Sequence, residues 1–321
     1  VDASELRYDD LVDQIEVLYN EHRYRAAVEL LDAESDGLEV WTAELAHLKA
    51  CLLGAAGDTD ESLRVLLDAS TAGAWWRPEI LTEDDDLAAL RDRPEFPELV
   101  AVSKARVADE PVRPLITLPA GRRSGRPESA SAAAGPVAGV VVALHGAGQR
   151  AEHARRDWAA VVELGYALVC VQSSYRMSPM YRTWPDPEQA RADIARALAE
   201  LPAELAQPAV EGAPGAGLQP ADGLPIVAAG FSAGGRVALD WALTGQPTPV
   251  DGVLAMAPAL RQLPETGRPL SPATIWIGTD DDLLEVVDEA ADRLTGFTIE
   301  RIQGLGHTFP ADFTARLPAV L

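Results

Sequence analysis

Ile226-Val-Ala-Ala-Gly-Phe-Ser232-Ala-Gly-Gly-Arg-Val237 opens as a short apolar run, bends through glycines, and continues into Arg236–Leu243 with helical periodicity. The run reads as a buried strand. Strand, Gly-x-Ser-x-Gly, helix is the context of a nucleophile elbow, a turn tight enough to strain its serine and project the hydroxyl. Gly230 and Gly234, two before and two after Ser232, are the positions where such a turn leaves no room for a side chain, and Gly235 lets the helix lie close to the strand. A phosphate-binding loop is excluded, because neither Gly-x-Gly-x-x-Gly nor Gly-x-x-x-x-Gly-Lys is present.

Strand and helix patterns alternate around this turn. Val140–Leu144, Tyr166–Val171, Val253–Met256, Thr274–Ile277 and Phe297–Ile302 read as further strands. Helices are expected over 152–163, 186–201, 283–294 and 311–321. The alternation predicts an α/β fold with a mostly parallel sheet covered on both faces. Arg113–Pro119 reads as a first strand, and the low-complexity stretch 121–137 as a flexible loop.

Residues 1–110 read instead as wholly helical, with apolar positions such as Leu11 and Ile15, Ala27 and Leu31, or Leu45, Leu48 and Leu52 at helical spacing. Gly54 and Gly57 are expected to break the third helix, and Asp58-Thr-Asp-Glu-Ser to start the next. The division is therefore an all-α helical-hairpin domain, 1–110, followed by an α/β domain, 111–321. Of the net charge of −23, residues 1–110 hold −17, from 27 acidic and 10 basic side chains. That balance argues against nucleic acid or an anionic membrane as partner. No apolar stretch reaches membrane-spanning length, and nothing reads as a signal peptide. Cys51 and Cys170, far apart, read as buried thiols, so a cytoplasmic setting is expected.

A serine needs a base, and the base needs an acid. Of five histidines, only His307, in Gly304-Leu-Gly-His-Thr-Phe-Pro310, falls between the last strand and the final helix. In a parallel sheet that loop emerges at the same edge as the elbow. Gly278-Thr-Asp280-Asp281-Asp282 follows a strand and precedes a helix, so one aspartate suits catalysis and another helix capping. Asp281 is favoured as the acid, ahead of Asp282 and then Asp280. Ala233 N–H and a second backbone donor in His145-Gly-Ala-Gly-Gln149, Ala147 before Gly148, are expected to bind an oxyanion. His145 reads as orienting that loop. No His/Cys/carboxylate cluster shows ligand spacing, so neither metal nor cofactor is expected.

Leu144-His-Gly-Ala-Gly148, Val171-Gln-Ser-Ser174, Trp184-Pro-Asp186, Gly230-Phe-Ser-Ala-Gly-Gly235, Ala255-Met-Ala-Pro-Ala-Leu260 and Gly304-Leu-Gly-His307 together resemble the α/β-hydrolase superfamily, in its phospholipase/carboxylesterase and dienelactone-hydrolase branch. The resemblance covers residues 138–321. It implies a serine esterase whose Ser232, Asp281 and His307 act on a small-molecule ester through an acyl-enzyme. Ala233 departs from the glutamine common in that branch, and serine in place of the cysteine of dienelactone hydrolases favours carboxylesterase. Peptidase or thioesterase chemistry fits the same triad. Tyr175–Trp184 is expected to wall the acyl pocket through Tyr181 and Trp184. Residues 20–100 resemble a degenerate tetratricopeptide-type unit, which implies recruitment of a protein partner or self-association through the N-terminal helices.

Overall fold

The structure, a computed structural model, describes residues 3–107, 112–119, 137–201, 205, 223–260 and 270–321. Apart from Val137, the loop expected over 121–137 lies outside them. The chain divides into two units: Val1–Glu110 with Tyr175–Arg182, and Pro111–Ser174 with Thr183–Leu321.

The first unit contains helices α1 (Ala3–Asn20), α2 (Tyr24–Glu34), α3 (Thr42–Ala55), α4 (Thr59–Thr71), α5 (Pro78–Thr82) and α6 (Phe96–Arg106), with 3₁₀ turns at Glu39–Trp41 and Asp85–Leu90. Pairs one turn apart, Leu11 with Ile15 and Ala27 with Leu31, bury the inner faces of α1 and α2. α3 serves two cores. Leu45 and Leu52 join α1 and α2, while Ala43, Ala50 and Cys51 join α4 and α6. A helix covered on both sides must be apolar nearly all round, which explains the run Ala50–Leu53. Trp76 is fully buried, and its indole N–H donates to Ala43 O at 2.9 Å.

Gly57, at φ +82°, ends α3 in a Schellman motif. Its N–H bonds Gly54 O, and Asp58 N–H bonds Leu53 O. Gly54 does not break the helix as expected. It lies within α3, where a Cβ would collide with the carbonyl of Asp86, so it brings the Asp85–Leu90 turn close. Asp58 stands at the N-cap of α4 without a side-chain cap bond; its carboxylate pairs with Arg25 at 2.8 Å.

The second unit is a seven-stranded sheet of β1 (Leu115–Thr117), β2 (Gly139–Leu144), β3 (Tyr166–Val171), β4 (Ile226–Phe231), β5 (Gly252–Met256), β6 (Ala273–Gly278) and β7 (Thr298–Ile302). The spatial order is β1-β3-β2-β4-β5-β6-β7, with β1 antiparallel to β3 and every other pair parallel. Every residue of β2 and β5 is buried, as the uninterrupted apolar sequence of a strand covered on both faces requires. Helices α7 (Ala151–Asp157), α8 (Ala160–Glu163), α9 (Pro187–Ala199), α10 (Ala233–Thr244), α11 (Leu284–Ala290) and α12 (Phe313–Arg316) connect and cover the strands. The single helix expected over 152–163 is two short ones, and Trp158 at the break is buried. The final helix is only four residues long. Pro318, which lacks an N–H, follows in a 3₁₀ turn. No helix of the described residues is long and apolar enough to cross a membrane.

Candidate active site

Ser232 directly follows β4 with φ +52° and ψ −118°. A non-glycine residue there is strained by about 1–3 kcal/mol and must be held by its surroundings. It is held by Ser232 N–H donating to Met256 O at 2.9 Å and by Ala259 N–H donating to Ser232 O at 3.0 Å. The glycine requirement is also met. A Cβ on Gly230 would collide with the backbone of Gly234, and one on Gly234 with the carbonyls of Leu144 and His145. Gly234 thus brings the start of α10 against the end of β2.

The parallel strands bring the loops after β2, β4, β6 and β7, among others, to one edge of the sheet. The loops after β6 and β7 are joined by three hydrogen bonds. Thr279 N–H donates to Ile302 O at 2.9 Å, Asp280 N–H to Leu305 O at 3.0 Å, and Gly304 N–H to Thr279 Oγ1 at 2.8 Å. Gly278 permits this, since a Cβ would strike the Leu305 carbonyl. Across the seam, His307 Nδ1 lies 3.1 and 3.0 Å from the two carboxylate oxygens of Asp281. The Asp281 side chain is wholly covered, whereas that of His307 is 39% exposed. The carboxylate is shielded and the imidazole is reachable.

Asp280 and Asp282 are exposed. Asp281 Oδ1 also accepts from Leu283 N–H at 2.8 Å, in the turn that leads into α11, whose N-cap Leu283 has no side-chain cap bond. Phe231 carries the geometry back to the elbow. Its ring lies 4.8 Å from that of His307 and 5.1 Å from Phe309. Phe309 and Phe313 then pack edge-on to Trp158. The sequence reading missed this aromatic series, although Phe309 and Phe313, four apart after His307, were the available signal. The Ser232 hydroxyl has no hydrogen-bond partner among the described residues.

His145 is buried after β2, and its Nε2 accepts from Ser173 N–H at 3.2 Å. Its Nδ1 lies 2.7 Å from Gly146 O, which makes Nδ1 the protonated nitrogen. Gln149 Oε1 accepts from Gly146 N–H at 2.9 Å, and Gln149 N–H closes the turn on Gly146 O. Ala147 is exposed at the tip of this turn, and Ala233 is the first residue of α10. Neither backbone N–H finds a partner among the described residues.

Trp184 and Tyr181, expected to wall the acyl pocket, fall in different units. Trp184 is buried, with its indole N–H donating to His145 O at 2.8 Å and its own carbonyl accepting from Arg236. It braces the loop after β2. Tyr181 belongs to the first unit, where it lines a cavity of about 380 Å³ among the helices, and burial raises its phenol pKa. His47, Cys51 and Asp84, not expected as a ligand cluster from the sequence, meet in the first unit. His47 and Cys51 are four apart on a helix, a spacing visible in the sequence; Asp84 is separated by 33 residues.

Residues 7–110 match the family described as the A/B hydrolase-like, N-terminal domain. No curated protein gives a significant match. Among solved structures, an uncharacterized protein from Bacillus cereus is 22% identical over 97% of this chain and 96% of its own, with a TM-score of 0.47. Zea mays acyl-protein thioesterase 2 is 16% identical over 64% of this chain and 95% of its own, TM-score 0.42. The Bacillus cereus carboxylesterase is 15% identical over 64% and 91%, TM-score 0.43. At such values the likeness says nothing of substrate. Residues 7–110 thus match an A/B hydrolase-like N-terminal domain, and the strand order, the single antiparallel edge strand and the elbow after β4 fit the second unit to an α/β-hydrolase fold.

Proposed function

We propose that the chain is a serine hydrolase that cleaves carboxylic esters through an acyl-enzyme. The observation that carries this reading is the Asp281–His307 hydrogen bond at the sheet edge that also bears Ser232 at φ +52°. An imidazole whose Nδ1–H is committed to a carboxylate offers a lone pair at Nε2, the atom assigned to take the Ser232 proton. Such serine–histidine bonds are often long in a resting site and tighten with substrate, which accords with the unengaged hydroxyl.

Ser232 Oγ bonds to the acyl carbon, and the carbonyl electron pair moves onto oxygen. The amides of Ala233 and Ala147 are assigned to that oxyanion because neither has another partner. Collapse breaks the bond to the alcohol, which leaves with the proton from His307 Nε2. Water then attacks the acyl-enzyme with His307 again as base, releasing the acid and restoring the serine. Ser232→Ala is expected to lower turnover of p-nitrophenyl esters by about 10⁶-fold and to abolish labelling by a fluorophosphonate. Turnover or labelling retained in that variant would overturn the reading.

A further inference from the structure

His47 and Cys51 stand one turn apart on α3, and the segment after α5 brings Asp84 against them. Gly54 makes the approach possible by leaving room for the Asp86 carbonyl. Three donor atoms of different chemistry then form a nearly equilateral triangle. Cys51 Sγ is 3.5 Å from His47 Nε2 and 3.4 Å from Asp84 Oδ2, and these last two atoms are 3.5 Å apart. A tetrahedral zinc ion with bonds of about 2.0–2.3 Å sets its ligands about 3.3–3.7 Å from one another.

The arrangement is not a nucleophile relay. A thiol–imidazole–carboxylate relay uses the two ring nitrogens separately, one toward the thiol and one toward the acid. Here the carboxylate lies beside Nε2, and the sulfur is nearer to that same nitrogen, at 3.5 Å, than to Nδ1, at 3.9 Å, so the three donor atoms stand together. The surroundings also hold each donor. A backbone hydrogen bond to Ile80 engages the His47 ring, the kind of outer partner that orients a ligating histidine. Asp84 Oδ1 accepts from Asp86 N–H at 3.0 Å, and Arg91 donates to the Asp84 carbonyl at 2.7 Å. Oδ2 is left directed at the cluster.

We propose that His47, Cys51 and Asp84 bind one divalent transition-metal ion of zinc type, with its fourth position open to the cavity that His47 and Asp84 line. A thiolate and a carboxylate balance the two positive charges of such an ion, and coordination releases the thiol proton as the sulfur–metal bond forms. The cavity is about 380 Å³ and includes Glu44 and Glu79, which favours a cationic occupant. The mixed sulfur, nitrogen and oxygen set suits zinc better than the all-oxygen preference of magnesium or calcium.

The test uses the full chain, stripped with a chelator and titrated with zinc alone by calorimetry, and with cobalt(II) alone by absorbance. One equivalent should bind, the cobalt form should show a thiolate-to-metal charge-transfer band, and zinc should raise Tm. Cys51→Ser should remove that band. His47→Ala and Asp84→Asn should each weaken binding at least about 10- to 100-fold, the loss typical of even an outer partner. Asp84→Asn preserves shape, so it still reports through an absent zinc-induced rise in Tm should the cysteine variant fail to fold. Lack of stoichiometric binding by the wild type would overturn the proposal, as would zinc binding unchanged in Asp84→Asn.

Discussion

The Asp281 carboxylate, wholly covered, takes His307 on both oxygens and the Leu283 N–H on one. Its neighbours Asp280 and Asp282 face solvent. Asp281→Asn keeps an acceptor for Leu283 but presents an amide that favours the wrong imidazole tautomer. It should lower kcat by about 10⁴-fold with little change in Tm, measured by steady-state ester hydrolysis beside calorimetry. Asp282→Asn serves as the control, with activity unchanged and stability within about 0.5 kcal/mol. The sequence narrows the candidate acid only to three adjacent residues. Which one turns inward depends on the seam with the loop after β7, a contact made 26 residues further along the chain. Ser232 and His307 were legible because motif and chain order place them without any long-range contact.

At the scale of the element, the loops after β6 and β7 act as one piece. Gly278→Ala would press a methyl group into the Leu305 carbonyl, backbone against backbone. The change should cost roughly 1–3 kcal/mol, read as a lower urea midpoint. Ester turnover should fall more than stability alone explains, because the seam that sets Asp281 against His307 opens. Normal activity in that variant would show that the seam does not position the pair. The strands themselves were legible from apolar runs, since burial on both faces leaves few polar positions. Helix ends were less so. Trp158 divides one expected helix and Pro318 shortens another, and Gly54 reads as a breaker until the turn packed against it is known.

Over the whole molecule, a net charge of −23 with −17 in the first 110 residues sets up self-repulsion in the folded state. Raising salt from ~0.01 M to ~1 M shortens the screening length from about 30 to about 3 Å. Tm should therefore rise over that range by calorimetry, and a flat response would show that local ion pairs such as Arg25–Asp58 already offset the excess. The division near residue 110 was legible from the change in periodicity. That Tyr175–Arg182 belongs with the helices was not, because its ties are to single distant residues. Glu44 Oε1 accepts from Ser178 Oγ at 2.6 Å and Met180 N–H at 2.7 Å, and Arg77 N–H donates to Met177 O at 2.7 Å.

This detour bears on how the protein is made. A domain emerging first from the ribosome ordinarily folds before the rest of the chain exists. Here the segment Tyr175–Arg182, which belongs with the helices, is synthesised only after β2 and β3 and before β4. Until then the Glu44 carboxylate, buried in the finished structure, lacks both of the donors that hold it. Nascent chains halted before and after that point should therefore differ sharply in protease resistance within the first 110 residues.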